Sequence, residues 1–239
     1  MPSRWEIPLP GADPEAVRAE HLHAAISNWF DDDEEQHHRP VKPYSVSPPR
    51  EGPNGVVIEI GLLDDALVPR LLSRAGPGSR LRLGRQIITA TKGAQQSAVA
   101  SWDDLGRGRP VSAWGLRFVT PLTFRRGNRF TPLPAPSPIL GGLRRSWNAF
   151  APPELAVTLD LSGDPAWVTD IDGHNEVMSV NGRTVSGFLG RLRIECEAGS
   201  DAAGAVSRIV ALAPFSGIGA YTTRCFGVTR LDPTWQPGR

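Results

Sequence analysis

Cysteine is nearly missing from this chain of 239 residues, which has only Cys196 and Cys225. Two thiols cannot build a disulfide framework, so free, reduced cysteines are expected. Lysine is almost as scarce, since 24 of the 26 basic residues are arginine. Only five histidines are present, His21, His23, His37, His38 and His174, which shortens any search for acid–base chemistry. No run approaches the roughly 18 apolar residues of a membrane helix. The start, MPSRWEIPLPGADPE, has no charged segment leading into an apolar one, so a cytoplasmic chain with no membrane partner is expected. No helix-borne H-E-x-x-H pair occurs, and HxH at 21–23, HH at 37–38 and DDDEE at 31–35 lack the spacing of a zinc site. Neither a catalytic metal nor another cofactor is expected. The DDDEE run reads as a solvated loop.

What the chain does have is a segregated charge. Residues 1–66 carry 5 basic and 13 acidic side chains, residues 67–150 carry 14 and 2, and residues 151–239 carry 7 and 10. The net of +1 therefore hides a middle segment of +12, with eleven arginines between Arg80 and Arg145. A GC-rich genome explains arginine over lysine but not why acids avoid this segment. Planar guanidinium groups favour bidentate contact with phosphate, so the segment reads as a footprint for a polyanion. The readiest contacts are Arg125, Arg126 and Arg129 in TPLTFRRGNRFTP and Arg144 and Arg145 before Trp147, with Arg80, Arg82 and Arg85 on an alternating strand. Trp147 is a candidate to stack an unpaired base, although most of the seven tryptophans read as core.

The stretch 214–231, PFSGIGAYTTRCFGVTRL, is hard to explain as core. Gly217 and Gly219 can adopt positive φ and leave room for backbone N–H groups to converge on an anion, with Arg224 adding a cation. A helix at 201–213, stopped by Pro214, precedes the loop, and a strand at 225–231 follows it. A dinucleotide fingerprint requires strand, loop and helix in that order, and a Walker loop requires a Lys-Ser/Thr that is absent.

The coarse order of elements repeats once. A strand at 4–9, a helix at 14–30 with Asp13 as N-cap, strands at KPYSVSP and GVVIEIGLL, a helix at 64–74 and a strand at 80–90 give β-α-β-β-α-β. After a connector near 92–110 the order returns: strand 111–124, helix 136–150, strands near 165–178 and 184–197, then the 201–213 helix and the closing strand. The runs 131–138 and 232–239 are proline-punctuated loop and tail. The expected fold is α+β, two tandem ferredoxin-like halves, dividing into domains 1–109 and 110–239. In such a sheet the strands holding Cys196 and Cys225 lie two ladder spacings apart, roughly 9–10 Å, beyond disulfide reach.

The pattern GxGxxT-x-R-x-x-G in this position resembles the C-terminal glycine-rich loop of the CRISPR-associated Cas-six endoribonucleases, members of the RAMP class of RNA-binding proteins. FVTPLTFRRGNRFTPLP at 118–134 with the helix after it, and HRPVKPYSVSP at 38–48, resemble two further family segments. Cys225 departs from the pattern, standing where the family usually has glycine. The resemblance implies tandem ferredoxin-like halves and metal-independent cleavage of CRISPR repeat RNA. It implies 2′-OH attack, leaving a 5′-hydroxyl and a 2′,3′-cyclic phosphate, with retention in an effector complex alongside other subunits. Histidine suits the general base. By the resemblance the base falls at His37 or His38, with His38 favoured for its HRPVKP spacing, and His23 on the first helix is third. Lys42 would neutralise the cleaved phosphate, and Tyr44 is a weaker proton donor or stacking group. Gly217, Gly219, Thr222, Thr223, Arg224 and Gly227 would dock RNA backbone. A non-catalytic RNA-binding subunit is the alternative, and a small-molecule enzyme that binds phosphate or nucleotide is a third.

Overall fold

Both β-α-β-β-α-β units are present in the computed structural model, which describes residues 1–32, 34–108, 110–180 and 182–232. In the first, β1 (Ser3–Pro10) leads to α1 (Ala19–Phe30) and the short α2 (Glu34–His38). Then come β2 (Tyr44–Val46), β3 (Arg50–Gly52), β4 (Gly55–Leu62), α3 (Val68–Arg74), β5 (Arg80–Leu83), β6 (Gln86–Thr89), β7 (Gln95–Val99) and α4 (Trp102–Gly106). The sheet order is β2-β4-β1-β7, with β3 added beside β4, and every pairing is antiparallel. That is the ferredoxin-like arrangement. The closing strand differs from the sequence reading. Residues 80–90 fold into a separate β5–β6 hairpin, turned at Gly84 with φ +64°, and the sheet is closed by β7. The alternation of RLRL and QIIT belongs to the hairpin, whereas QQSAV at the sheet edge is mostly exposed and carries no apolar signal.

The second unit comprises β8 (Ala113–Leu122), the small hairpin β9 (Phe124–Arg126) and β10 (Arg129–Thr131), then α5 (Pro136–Phe150). It continues with β11 (Ala166–Val180), β12 (Arg183–Cys196), α6 (Asp201–Val210), α7 (Ala213–Ser216) and β13 (Thr229–Leu231). The order β11-β12-β8-β13 is again ferredoxin-like. Pro214 does not stop the long helix. That helix ends at Val210, and Pro214 sits in the first turn of α7, where its missing N–H costs nothing. Asp13 caps a single 3-10 turn at 14–16 through Glu15 N–H, and the helix proper starts only at Ala19.

Each half has its own apolar core. Leu22, Ile26 and Phe30, spaced by four on α1, pack under the first sheet with Ile7, Ile58 and Ile60, each burial contributing about 2 kcal/mol. In the second half α5 and α6 cover the sheet with Leu140, Leu143, Val206 and Ile209. Trp147 is fully enclosed there and donates its indole N–H to the Leu155 carbonyl at 2.8 Å. It is a core residue and cannot stack on RNA.

The halves interlock along one seam. Leu63 packs into the second core and Cys225 into the first. Ser45 Oγ donates to the Phe215 carbonyl at 2.8 Å, and Arg230 pairs with Glu59 across the seam at 2.5 Å. Gly61 is required there, because a Cβ would collide with the Phe215 carbonyl. Both cysteines are free and buried, but Cys225 lies in the loop before β13 rather than in a strand. Residues 233–239 of the proline-punctuated tail lie outside the described residues. No helix among the described residues is long and apolar enough to cross a membrane.

Candidate ribonuclease site

The glycine-rich loop is laid directly onto the first half. Gly217 ends α7 at φ +65°, and the chain returns past β8, with Ala220 N–H donating to the Thr123 carbonyl and Gly227 N–H to the Pro121 carbonyl. Ile218, Arg224, Phe226 and Val228 also spend their N–H groups on acceptors within the fold. The glycines answer to packing: a Cβ at Gly227 would collide with the Ile218 carbonyl, and one at Gly219 would press on Thr123 O at 2.5 Å. Cys225 takes the left-handed conformation, φ +68°, that a glycine would adopt without strain. The loop shape thus survives the departure from glycine, and burial pushes the thiol up to about 12.

This docking brings Thr223 and Arg224, in a 3-10 turn at 222–224, against α1 and β2. The Thr223 carbonyl meets His23 Nδ1 at 3.1 Å. A carbonyl only accepts, so Nδ1 carries the proton and Nε2 is left as a lone-pair acceptor. That Nε2 is buried with no partner among the described residues. Burial foremost, then the nearby Arg224 guanidinium, pulls the His23 pKa down to about 4. His23 is therefore neutral near pH 7 and cannot serve as a proton donor there.

Beside it stands a cluster built on one carboxylate. Asp31, at the C-cap of α1, keeps its side chain only 5% exposed. Its Oδ2 accepts from Lys42 Nζ at 2.9 Å, His37 Nδ1 at 3.0 Å and Tyr44 OH at 3.2 Å. Lys42 also donates to the Gln36 carbonyl at 2.5 Å. Since a carboxylate can only accept from His37, the imidazole holds its proton on Nδ1 and presents a basic Nε2. The His37 side chain is 38% exposed, and its ring centroid lies 5.7 Å from that of His23. His38 differs: it is largely exposed, and its Nε2 is 3.7 Å from the exposed Glu34 carboxylate. Tyr44 is buried, and burial together with Asp31 raises its pKa far above the ordinary range, so it remains a neutral hydroxyl donor.

His23, His37, Lys42, Tyr44, Thr223 and Arg224 are thus brought together, with His38 at the margin. Asp31 is the residue that sequence reasoning missed. Hidden in the DDDEE run, it is buried rather than solvated, and its neighbour Asp32 makes a two-point ion pair with Arg70 at 2.6 Å. Its position at the end of an amphipathic helix was the available signal. Among the described residues no group of three or more His, Cys, Asp or Glu is arranged to hold a metal.

The arginines separate into two kinds. Arg125, Arg126 and Arg129 project from the β9–β10 hairpin and are exposed. Arg145 is exposed on α5, whereas Arg144 is partly buried and donates to the Leu159 carbonyl, a structural use. Arg80, Arg82 and Arg85 are exposed on the β5–β6 hairpin.

Among known proteins, the family described as CRISPR-associated endoribonuclease Cas6 matches residues 116–229. No curated protein sequence matches the chain. Of solved structures, a product complex of the Cas6 protein TTHA0078 shares 22% identity, covers 97% of this chain and 99% of its own, and superposes with a TM-score of 0.81. A product complex of the Thermus thermophilus Cas6 protein TTHB231 shares 25% identity over 97% and 99% of the two chains, at a TM-score of 0.77. A histidine-to-alanine variant of TTHA0078 shares 20% identity over 97% and 98%, at 0.76. The family match runs from β8 to β13, and these solved structures share the fold of this chain along nearly its whole length.

Proposed function

We propose that this protein is a metal-independent endoribonuclease that cuts CRISPR repeat RNA, with His37 as general base. The observation that carries the reading is the Asp31–His37 pair, which fixes the imidazole tautomer in a cluster that also holds Lys42 and Arg224. His37 Nε2 takes the 2′-OH proton, and the 2′-oxygen attacks the adjacent phosphorus. The P–O5′ bond breaks, and the 5′-oxygen takes a proton from water, leaving a 2′,3′-cyclic phosphate and a 5′-hydroxyl. Lys42 and Arg224 supply cationic stabilisation to the phosphorane oxygens. His38 is too exposed and too weakly held to be preferred. The exposed Arg125, Arg126, Arg129 and Arg145 guide the RNA backbone towards the loop.

The same proposal divides the chain at 109/110 into a domain carrying the base and a domain carrying the glycine-rich loop. It extends to retention of the cut RNA, which the product complexes of TTHA0078 and TTHB231 support, and to assembly with other subunits of a CRISPR effector complex in the cytoplasm. The test is a labelled repeat RNA incubated with the protein in EDTA, against His37→Ala and His38→Ala. Loss of the cut in His37→Ala with binding intact is expected. Retained cleavage in that variant moves the base elsewhere, and binding without any cut by the wild type makes the protein a non-catalytic subunit.

A further inference from the structure

The β9–β10 hairpin and the start of α5 enclose a pocket of about 290 Å³ that takes no part in the histidine cluster. Phe124, Phe130, Leu133 and Pro138 give it apolar walls, and Arg126 and Arg129 stand among its lining residues. Three features indicate that it is built to receive something. Leu133 is 66% exposed, the most open of the exposed large hydrophobic side chains among the described residues. It is held there by its own backbone, its N–H donating to Thr131 Oγ1 at 3.4 Å and its carbonyl accepting from Ala135 N–H at 2.9 Å. Arg126 and Arg129 sit directly opposite each other in the hairpin register, a like-charge pairing that gives the hairpin no stability. No acidic residue occurs between Asp104 and Glu154 to offset them.

Apolar walls with two guanidinium groups complement a flat, apolar-faced ligand flanked by negative charge. An unpaired nucleotide has that form, its base offering two π-faces and its phosphates lying on either side. The volume lies at the lower limit of small-molecule pockets, roughly 300 Å³, so it fits one base rather than a base pair. Phe130 ties the pocket to the glycine-rich loop, for its ring stacks on Tyr221 at 5.2 Å between centroids and 25° between planes.

We propose that this pocket holds one splayed-out base of the bound RNA, Phe124, Phe130 and Leu133 flanking the ring while Arg126 and Arg129 hold its phosphates. It is a subsite that reads one nucleotide away from the cleavage centre. The inference rests on the RNA-binding reading above, and the test separates the two. The full chain is titrated with repeat RNA carrying a 2′-deoxy group at the scissile position, so that it is not cut, and with copies in which each nucleotide in turn is abasic. For the wild type one abasic position should weaken binding about tenfold. Leu133→Ser, at a site too exposed to endanger folding, should lose a similar factor on intact RNA and become insensitive to that abasic position. Arg126→Ala should weaken all of the RNAs about equally and flatten the salt dependence by about one unit of slope. The inference is overturned if no abasic position costs affinity, or if the cost is unchanged in Leu133→Ser. Failure of the wild type to bind any of these RNAs overturns the RNA-binding reading itself and the subsite with it.

Discussion

Acidification should destabilise the fold through His23, and the structure sets the size of the effect. Its ring is 7% exposed, donates to the Thr223 carbonyl and has its pKa pulled from 6.5 to about 4. The unfolded chain therefore binds a proton first as pH falls, so this contribution is complete above about pH 6.5 and is lost as pH drops towards about 4. At about 1.4 kcal/mol per unit the whole separation is worth roughly 3 kcal/mol. Screening by solvent at a ring that is not fully enclosed brings it to on the order of 2 kcal/mol, more than half of it gone by about pH 5. The assay is urea unfolding from pH 7.5 to 4.5 on the wild type and His23→Gln, which keeps a donor for the Thr223 carbonyl but does not titrate. Other groups titrate in both proteins and cancel in the difference. The wild-type advantage should shrink steadily with falling pH. Parallel pH profiles for the two proteins would refute the reasoning, because they would mean that His23 is no more reluctant to charge in the folded state than in the unfolded one.

Asp31→Asn should cost about 3 kcal/mol in thermal or urea unfolding, since Lys42, with a side chain only 14% exposed, loses its carboxylate. The same change should slow RNA cleavage by about a hundredfold or more by freeing the His37 tautomer. Gly227→Ala should destabilise by at least about 2 kcal/mol, combining a non-glycine residue at φ +62° with the collision against the Ile218 carbonyl, and RNA affinity should fall with it. A thiol-specific reagent at pH 8 should leave the native protein unlabelled and react with both cysteines after denaturation, because Cys225 is fully buried and Cys196 nearly so. Arg144→Ala should lower stability by about 1 kcal/mol and leave RNA affinity unchanged, the reverse of Arg126→Ala.

Both β-α-β-β-α-β orders were legible because the long elements carry strong periodicity: α1 repeats Leu22, Ile26, Phe30, and β4 is apolar nearly throughout. The closing strand β7 was not legible. An edge strand that buries little needs no alternating pattern, so QQSAV could not compete with the clearer signal of the hairpin before it. The glycine-rich loop could be located from its composition, but not the use of its glycines, which depends on the Thr123 carbonyl just after β8 and carbonyls of the loop itself approaching across the fold. The HRPVKP spacing favoured His38 over His37 in sequence, because only the folded position of Asp31 separates a held imidazole from a solvated one. Asp31 itself was lost in a run of acids read as a solvated loop: Asp32, Glu34 and Glu35 are exposed, but the two glutamates open the short helix α2, and Asp33 lies outside the described residues. Trp147 shows the opposite failure: an aromatic beside two arginines suggested stacking, while its place on the buried face of α5 decided for the core.

The central claim is that Asp31-held His37 removes a proton from a ribose 2′-OH without a metal. It is tested most directly by incubating the protein in EDTA with repeat RNA whose scissile 2′-OH is either present or replaced by hydrogen, alongside His37→Ala on the intact RNA. A single cut in EDTA, ending in a cyclic phosphate and absent both from the 2′-deoxy RNA and from His37→Ala, is the predicted result. Cleavage that persists on the 2′-deoxy RNA, or in His37→Ala, would contradict the account.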